Sequence, residues 1–171
     1  MKFKFLFPLF LLASCVQKNT AIAYLKGIGS NPIVGHAKFI ETNDFVELIV
    51  NINNAEPGEL AIHIHEIGDC ASLDGSSAGG HWNPTDDEHG KWGTPPFHSG
   101  DIGNLIINDD GVGKLVLKDR FKRWSITNPG KNNILGRAII VHAGSDDMQS
   151  QPSGAAGKRI ACGLSLIHIS E

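Results

Sequence analysis

Six of the eight histidines in this chain fall into one ordered series: His63-Ile64-His65, then His81, His89 and His98 with Asp101, then His142. Imidazole nitrogen suits copper, zinc, iron and nickel, and one aspartate among histidines is an ordinary fourth ligand for zinc. Any one of these side chains alone reads as a strand or loop histidine making a single hydrogen bond. Seven candidate ligands between His63 and His142 point to metal. His63 and His65 are two apart on a predicted strand, so both project from one face with Cα atoms about 6–7 Å apart, close enough to converge on one ion. His142 closes another predicted strand and adds a third nitrogen, giving an all-nitrogen set suited to copper or another transition metal. His89, His98 and Asp101, with His81, fill a tetrahedral shell that has no open position, which describes a structural zinc. His81 stands between the groups and could serve either metal.

The elements that must position these ligands are short strands. Apolar alternation, as in Phe45-Val46-Glu47-Leu48-Ile49-Val50, predicts Ala21–Lys26, Pro32–Glu41, Phe45–Asn51, Leu60–His65, Gly103–Ile107, Gly113–Leu117, Ala138–His142 and Ile160–Leu164. Asp110-Gly111 is a hairpin signal, and no segment carries a helical stripe. The fold class is all-β: an eight-stranded Greek-key β-sandwich or flattened barrel over residues 21–164. Two long loops interrupt it, Gly68–Asp101 and His142–Lys158. Structureless loops of this length are functional or disordered. These carry most of the candidate ligands, so metal would supply the order that their Gly, Ser, Asp and Pro content lacks.

Met1–Ser14 has Lys2 and Lys4 ahead of the apolar run Phe5–Leu12, which is too short to span a bilayer and reads as an export signal. Two exits compete. Leu12-Ala13-Ser14-Cys15 resembles a lipobox, with cleavage before Cys15 and a lipid on its sulfur, while Ala21-Ile22-Ala23 resembles an ordinary A-x-A site. The second would cut through the first strand and leave a sheet edge unpaired, which favours the lipobox with 15–20 as a short linker. On that reading Cys70 and Cys162 remain as a pair in an oxidising compartment, against the alternative of two buried thiols. Without Lys2 and Lys4 the chain has 13 basic and 18 acidic residues, a net charge of −5, and no basic stripe interleaved with aromatics, so nucleic acid is not an expected partner.

His63-Ile64-His65-Glu66 with Gly68-Asp69-Cys70, Gly79-Gly80-His81-Trp82-Asn83-Pro84 and His98-Ser99-Gly100-Asp101-Ile102-Gly103-Asn104 together resemble the copper/zinc superoxide dismutases, of the bacterial exported type. Gly136-Arg137 ahead of Val141-His142, and Gly157-Lys158-Arg159-Ile160-Ala161-Cys162-Gly163, extend the resemblance from Ala21 to Leu164. It implies one copper at His63, His65, His81 and His142, and one zinc at His81, His89, His98 and Asp101, with His81 shared. It further implies that Asp146 joins His63 to His89, that Cys70 and Cys162 form a disulfide, and that Arg159 stands at the mouth of the site. The implied reaction is disproportionation of superoxide to dioxygen and hydrogen peroxide, in which His81 carries a proton for the peroxide and Arg159 draws in the anion.

Some features depart from the cytosolic members. The His65–Cys70 segment is shorter, Cys70–His81 is longer, and Ser145–Lys158 lacks their Glu-Glu-x-x-Lys pattern, leaving Lys158 as a second cation near Arg159. Residues 165–171 do not resemble the family's usual ending and read as non-native sequence or as a lineage-specific extension. The implied location is the periplasm or cell envelope, with a lipid anchor at Cys15. A homodimer is compatible with the resemblance, though no face is assigned. Two other readings compete: a non-enzymatic metal-binding or copper-chaperone relative, and a zinc hydrolase. All seven ligands and Arg159 are present, and no H-E-x-x-H helix is, which favours the dismutase.

Overall fold

The computed structural model describes residues 19–168; Cys15 and the export segment lie outside the described residues. Period-two burial makes the strands. β1 (Asn19–Gly27) turns Ala21, Ala23 and Leu25 inward, β2 (Val34–Glu41) Ala37 and Phe39, and β3 (Val46–Asn53) Val46, Leu48, Val50 and Ile52. β4 (Gly58–His65), β5 (Gly103–Ile107), β6 (Gly113–Asp119), β7 (Ala138–His142) and β8 (Arg159–Leu164) complete an antiparallel barrel in the order β2-β3-β6-β5-β4-β7-β8-β1, which β1 closes by pairing with β2. The crossovers β3→β4 and β6→β7 give it the Greek-key path. Leu166–Ile167, in the tail, add a short β9 against Ala21 and Ile22 of β1.

All eight expected strands are present, Gly103–Ile107 and Ala138–His142 with the expected ends and the others with one or both ends shifted by one or two residues. The strand expected from Pro32 begins at Val34, because the Asn31 side chain accepts the Ile33 N–H and Ile33 C=O accepts the Gly27 N–H, which turns the chain there. At the far end of β6 the buried Asp119 carboxylate accepts the main-chain N–H of Phe121 at 2.9 Å and of Trp124 at 2.6 Å, bending the chain into the crossover. Burial raises the pKa of Asp119. Trp124 then packs edge-on to Phe39, ring centroids 5.6 Å apart, at the centre of the core.

β4 and β7 differ from the other strands: Leu60–His65 and Ala138–His142 are buried on both faces. Ile62, Ile64, Ile139 and Val141 belong to the barrel core. Ala138 and Ile140 instead pack outside it with Ala78 and Cys162, in a small second cluster under the long loops. This covered outer face carries His63, His65 and His142.

The first loop has anchors of its own. β4 runs past the end of β5, and Ile64 there accepts the Trp82 N–H at 2.8 Å and donates to Gly100 C=O at 2.9 Å. Trp82 and Phe97 are buried, Trp92 stacks near Trp124 at 4.6 Å, and Trp124 Nε1 donates to Ser99 C=O at 2.7 Å. Composition suggested a loop without its own order; its three aromatics anchor it, each large enough to contribute to a core.

Cys70 and Cys162 are bonded, with Cα atoms 5.8 Å apart and 92 residues between them in sequence. A loop of that length is worth about 4–5 kcal/mol in the chain-entropy account. Replacing both cysteines with alanine should therefore lower the unfolding free energy of the metal-free chain by about 4 kcal/mol, read from urea denaturation. A loss below about 1 kcal/mol would mean that the bridge constrains little.

Candidate metal centre

His63 and His65 reach the outer face of β4 because Ile62 and Ile64 take the inner one; the pairing Ile62↔Val141 and the same alternation put His142 beside them. The first long loop returns alongside β4 through an isolated bridge, His65↔His81, which lays the His81 ring 4.0 Å from that of His63. Two groups result: His63, His65, His81 and His142, and His81, His89, His98 and Asp101. All seven side chains of these sets are buried, with ligand atoms within 4.8 Å of one another in each group.

Hydrogen bonds decide which nitrogen of each ring is free. His65 Nδ1 faces Gly79 C=O at 3.0 Å, His142 Nδ1 faces Gly157 C=O at 3.2 Å and His98 Nε2 faces Asp87 C=O at 3.1 Å. A carbonyl can only accept, so these nitrogens carry the proton and the opposite nitrogen holds a lone pair. Asp146 fixes two more rings, with Oδ2 at 2.9 Å from His63 Nε2 and Oδ1 at 2.9 Å from His89 Nε2. What remains is six buried nitrogens with no hydrogen-bond partner: Nδ1 of His63, His89 and His98, and Nε2 of His65, His81 and His142. An unsatisfied buried polar atom costs about 1–3 kcal/mol, so six aimed into two clusters fit cations and little else.

In the second group the edges that meet at Asp101 are close to those of a tetrahedral shell. Asp101 Oδ1 lies 2.9, 3.0 and 3.1 Å from Nδ1 of His81, His89 and His98. With zinc bonds of 2.0–2.1 Å, adjacent ligand atoms sit about 3.3 Å apart. Asp101 Oδ2 is engaged elsewhere, by the N–H of Gly90 at 3.0 Å and of His98 at 2.7 Å, which leaves Oδ1 for the ion. His81 contributes to both groups, with Nδ1 toward Asp101 and Nε2 free toward His63, His65 and His142.

The two groups differ electrostatically. Burial pushes His63 down to about 3, His65 to about 2 and His142 to about 4, and also lowers His81. Burial opposes protonation of His89 too, but the Asp101 and Asp146 carboxylates outweigh it and raise His89 to about 9. Both carboxyls are held well below their usual range against burial, Asp101 chiefly by His81, His89 and His98, and Asp146 by His63 and His89.

A cleft of about 580 Å³ leads to this pair of groups, and His65, His81, His142 and Arg159 line it. Arg159 is anchored through Nη1 to Gly75 C=O and through Nη2 to Gly79 C=O, both at 2.6 Å. The structure thus brings together every candidate ligand with Asp146 and Arg159. Lys158 is exposed beside them, His36 faces Asn51 at 3.2 Å, and His168 lies exposed in the tail. Sequence reasoning missed Asn104, whose amide holds Asp146 at both its N–H and C=O. It also missed Gln151, which holds His89 in the same way, and Gly154, where a methyl group would collide with the Asp146 carboxylate and the His89 ring. No spacing rule marks an amide that acts across two loops.

Comparison with known proteins gives the same picture. The family model described as copper/zinc superoxide dismutase matches residues 33–165. The chain is 40% identical over 136 residues to superoxide dismutase [Cu-Zn] 1 of Aquifex aeolicus, covering 77% of this chain and 79% of that one. It is 37% identical over 153 residues to the superoxide dismutase [Cu-Zn] of Paramecium bursaria Chlorella virus 1, covering 85% and 76%. Among solved structures, a double mutant of a SOD-like protein from Bacillus subtilis superposes with TM-score 0.75 at 35% identity, over 85% of this chain and 96% of the other. Matched over most of its length, and carrying donor groups fit for both metals that name the family, the chain belongs to the copper/zinc superoxide dismutases.

Proposed function

We propose that this chain disproportionates superoxide, with one copper at His63, His65, His81 and His142 and one zinc at His81, His89, His98 and Asp101. The observation that carries the proposal is the set of six buried, unpartnered imidazole nitrogens, divided into two groups that share one ring. Two superoxide anions and two protons give one dioxygen and one hydrogen peroxide. Copper held by these residues would supply the one-electron couple that the disproportionation needs. The protein's own groups do the rest. Gly79 and Gly157 carbonyls and the Asp146 carboxylate hold the rings of His65, His142 and His63 in place and fix their tautomers. His81 can hold a proton at Nε2, on the face turned to the cleft, and deliver it to the nascent peroxide. Arg159, tied by two carbonyls, presents a positive charge and N–H donors where an anion must arrive.

Elemental analysis after reconstitution should find one copper and one zinc per chain. The two metals should then leave in order as the pH falls. Protons compete poorly for His63, His65 and His142, whose free pKa values lie at about 2–4. His89, at about 9, is protonated at neutral pH in the empty site, so zinc must displace a proton and its hold weakens as pH drops. Zinc should therefore be released at a higher pH than copper, and loss of copper first would contradict the assignment.

Arg159→Glu should leave both metals bound but cut the rate of superoxide removal at low ionic strength by roughly tenfold or more, as expected for inverted steering. Arg159→Lys should retain most of it, since a point charge still attracts the anion. Pulse radiolysis gives the rates; a glutamate variant as fast as the unchanged enzyme would remove Arg159 from the reaction.

The same proposal places the protein outside the reducing cytoplasm, in the periplasm or cell envelope, anchored by lipid at Cys15; the disulfide supports export. Mass spectrometry of the native protein should find an acylated N-terminus at Cys15. A mature N-terminus at Tyr24, which would remove half of β1, would refute the anchor. Homodimerisation belongs to the same proposal.

A further inference from the structure

His89 is held differently from the other members of its group. His81 is tied to β4 through the His65↔His81 bridge and the Trp82 N–H. His98 and Asp101 brace each other within one turn, through the His98 N–H to Asp101 Oδ2 and the Asp101 N–H to His98 C=O. Among the described residues the His89 main chain has no hydrogen bond to another main-chain group. Both of its polar atoms instead go to one side chain: His89 N–H donates to Gln151 Oε1 at 2.9 Å, and Gln151 Nε2 donates to His89 C=O at 2.9 Å. Gln151 belongs to the second long loop, 62 residues away in sequence, and lines the cleft. The amide thus does for His89 what a neighbouring strand does for a strand residue.

The residue that His89 bonds through its ring is held the same way. Asp146 N–H donates to Asn104 Oδ1 at 2.7 Å, and Asn104 Nδ2 donates to Asp146 C=O at 2.9 Å. Both ends of the His89 Nε2–Asp146 Oδ1 contact are therefore fixed by reciprocal amide pairs, and Gly154 leaves room for that contact.

We propose that Gln151 is a positioning residue for the metal centre: its reciprocal pair with the His89 main chain aims His89 Nδ1 at the zinc group and Nε2 at Asp146. The inference rests on the ligand assignment proposed above. Removing the pair frees the His89 peptide, so the ring loses its fixed aim while every ligand stays in the chain. Partners of this kind behind a ligand typically change metal affinity by about 10–100-fold.

The test uses the full chain and Gln151→Met, which keeps the side chain's length and bulk but neither hydrogen bond. Cobalt(II) loaded into the zinc group reports coordination geometry by its visible absorption, and zinc release is followed with a chromogenic chelator. Gln151→Met should release zinc roughly tenfold or more faster and shift the cobalt bands, with the copper content and the urea midpoint of the metal-free chain unchanged. Gln151→Glu should fall between, because its carboxylate still accepts the His89 N–H but cannot donate to the His89 C=O. Unchanged zinc release and cobalt bands in Gln151→Met would overturn the proposal. So would equal loss of both metals with a lowered urea midpoint, since that is loosening of the loops. If the unchanged chain took up no cobalt, the ligand assignment itself would fail.

Discussion

The centre depends on burying imidazoles whose donor nitrogens no protein group satisfies. Three of the six rings lie on the outer face of β4 and β7 and three on the loop that covers it, and each has one nitrogen without a protein partner. Desolvation drives His63, His65 and His142 far below their usual pKa, so the empty pocket cannot relieve itself by taking up protons there. The cover must be held by other forces. The aromatic anchors of the first loop, the small cluster around Ile140 and the Cys70–Cys162 bond all lie outside the donor groups and do this. Metal binding thus completes a structure whose shape is largely set beforehand.

Within that frame, Asp146 is the joint. One carboxylate meets His63 of one group and His89 of the other, at 2.9 Å each, and a second coupling runs through the His81 ring. The two groups are therefore connected twice, once by the His81 ring they share and once by the Asp146 carboxylate. The Gly79 carbonyl makes a similar economy at the mouth, accepting from both His65 Nδ1 and Arg159. The orientation of a donor ring and the position of the cation thereby share one peptide, and the disulfide at Cys70 tethers the loop that carries it.

Much of this was legible in the residues themselves. Period two placed His63 and His65 on one face, and three histidines with an aspartate described a closed tetrahedral shell before any coordinates. Barrel class and strand count followed from alternation and turn residues. Asp146 was visible only through the family resemblance, because a carboxylate behind two ligands has no spacing of its own. Asn104 and Gln151 were not visible at all: their roles depend on the distance between two loops, which no local pattern encodes. The order of the first loop was underestimated because it is rich in Gly, Ser, Asp and Pro, although Trp82, Trp92 and Phe97 were there to be weighed. Strand ends shifted where side chains such as Asn31 took over main-chain hydrogen bonds.

The chain order of the ligands has a consequence for biosynthesis. The donors of the Asp101 group run from His81 to Asp101, close together and early, whereas the other group waits for His142 and the covalent bridge for Cys162. A polypeptide emerging N-terminus first exposes a complete four-donor set while β6, β7 and β8 are still unmade. The last stretch to appear carries Asp146, Gln151, Arg159 and Cys162 together, along with the strand that closes the barrel onto β1. A truncation near residue 140 would keep all four donors of the Asp101 group but remove Asp146 and Gln151, which hold His89, and take His142 from the other group. Arrested or clipped chains would then carry four donors without the groups that aim them.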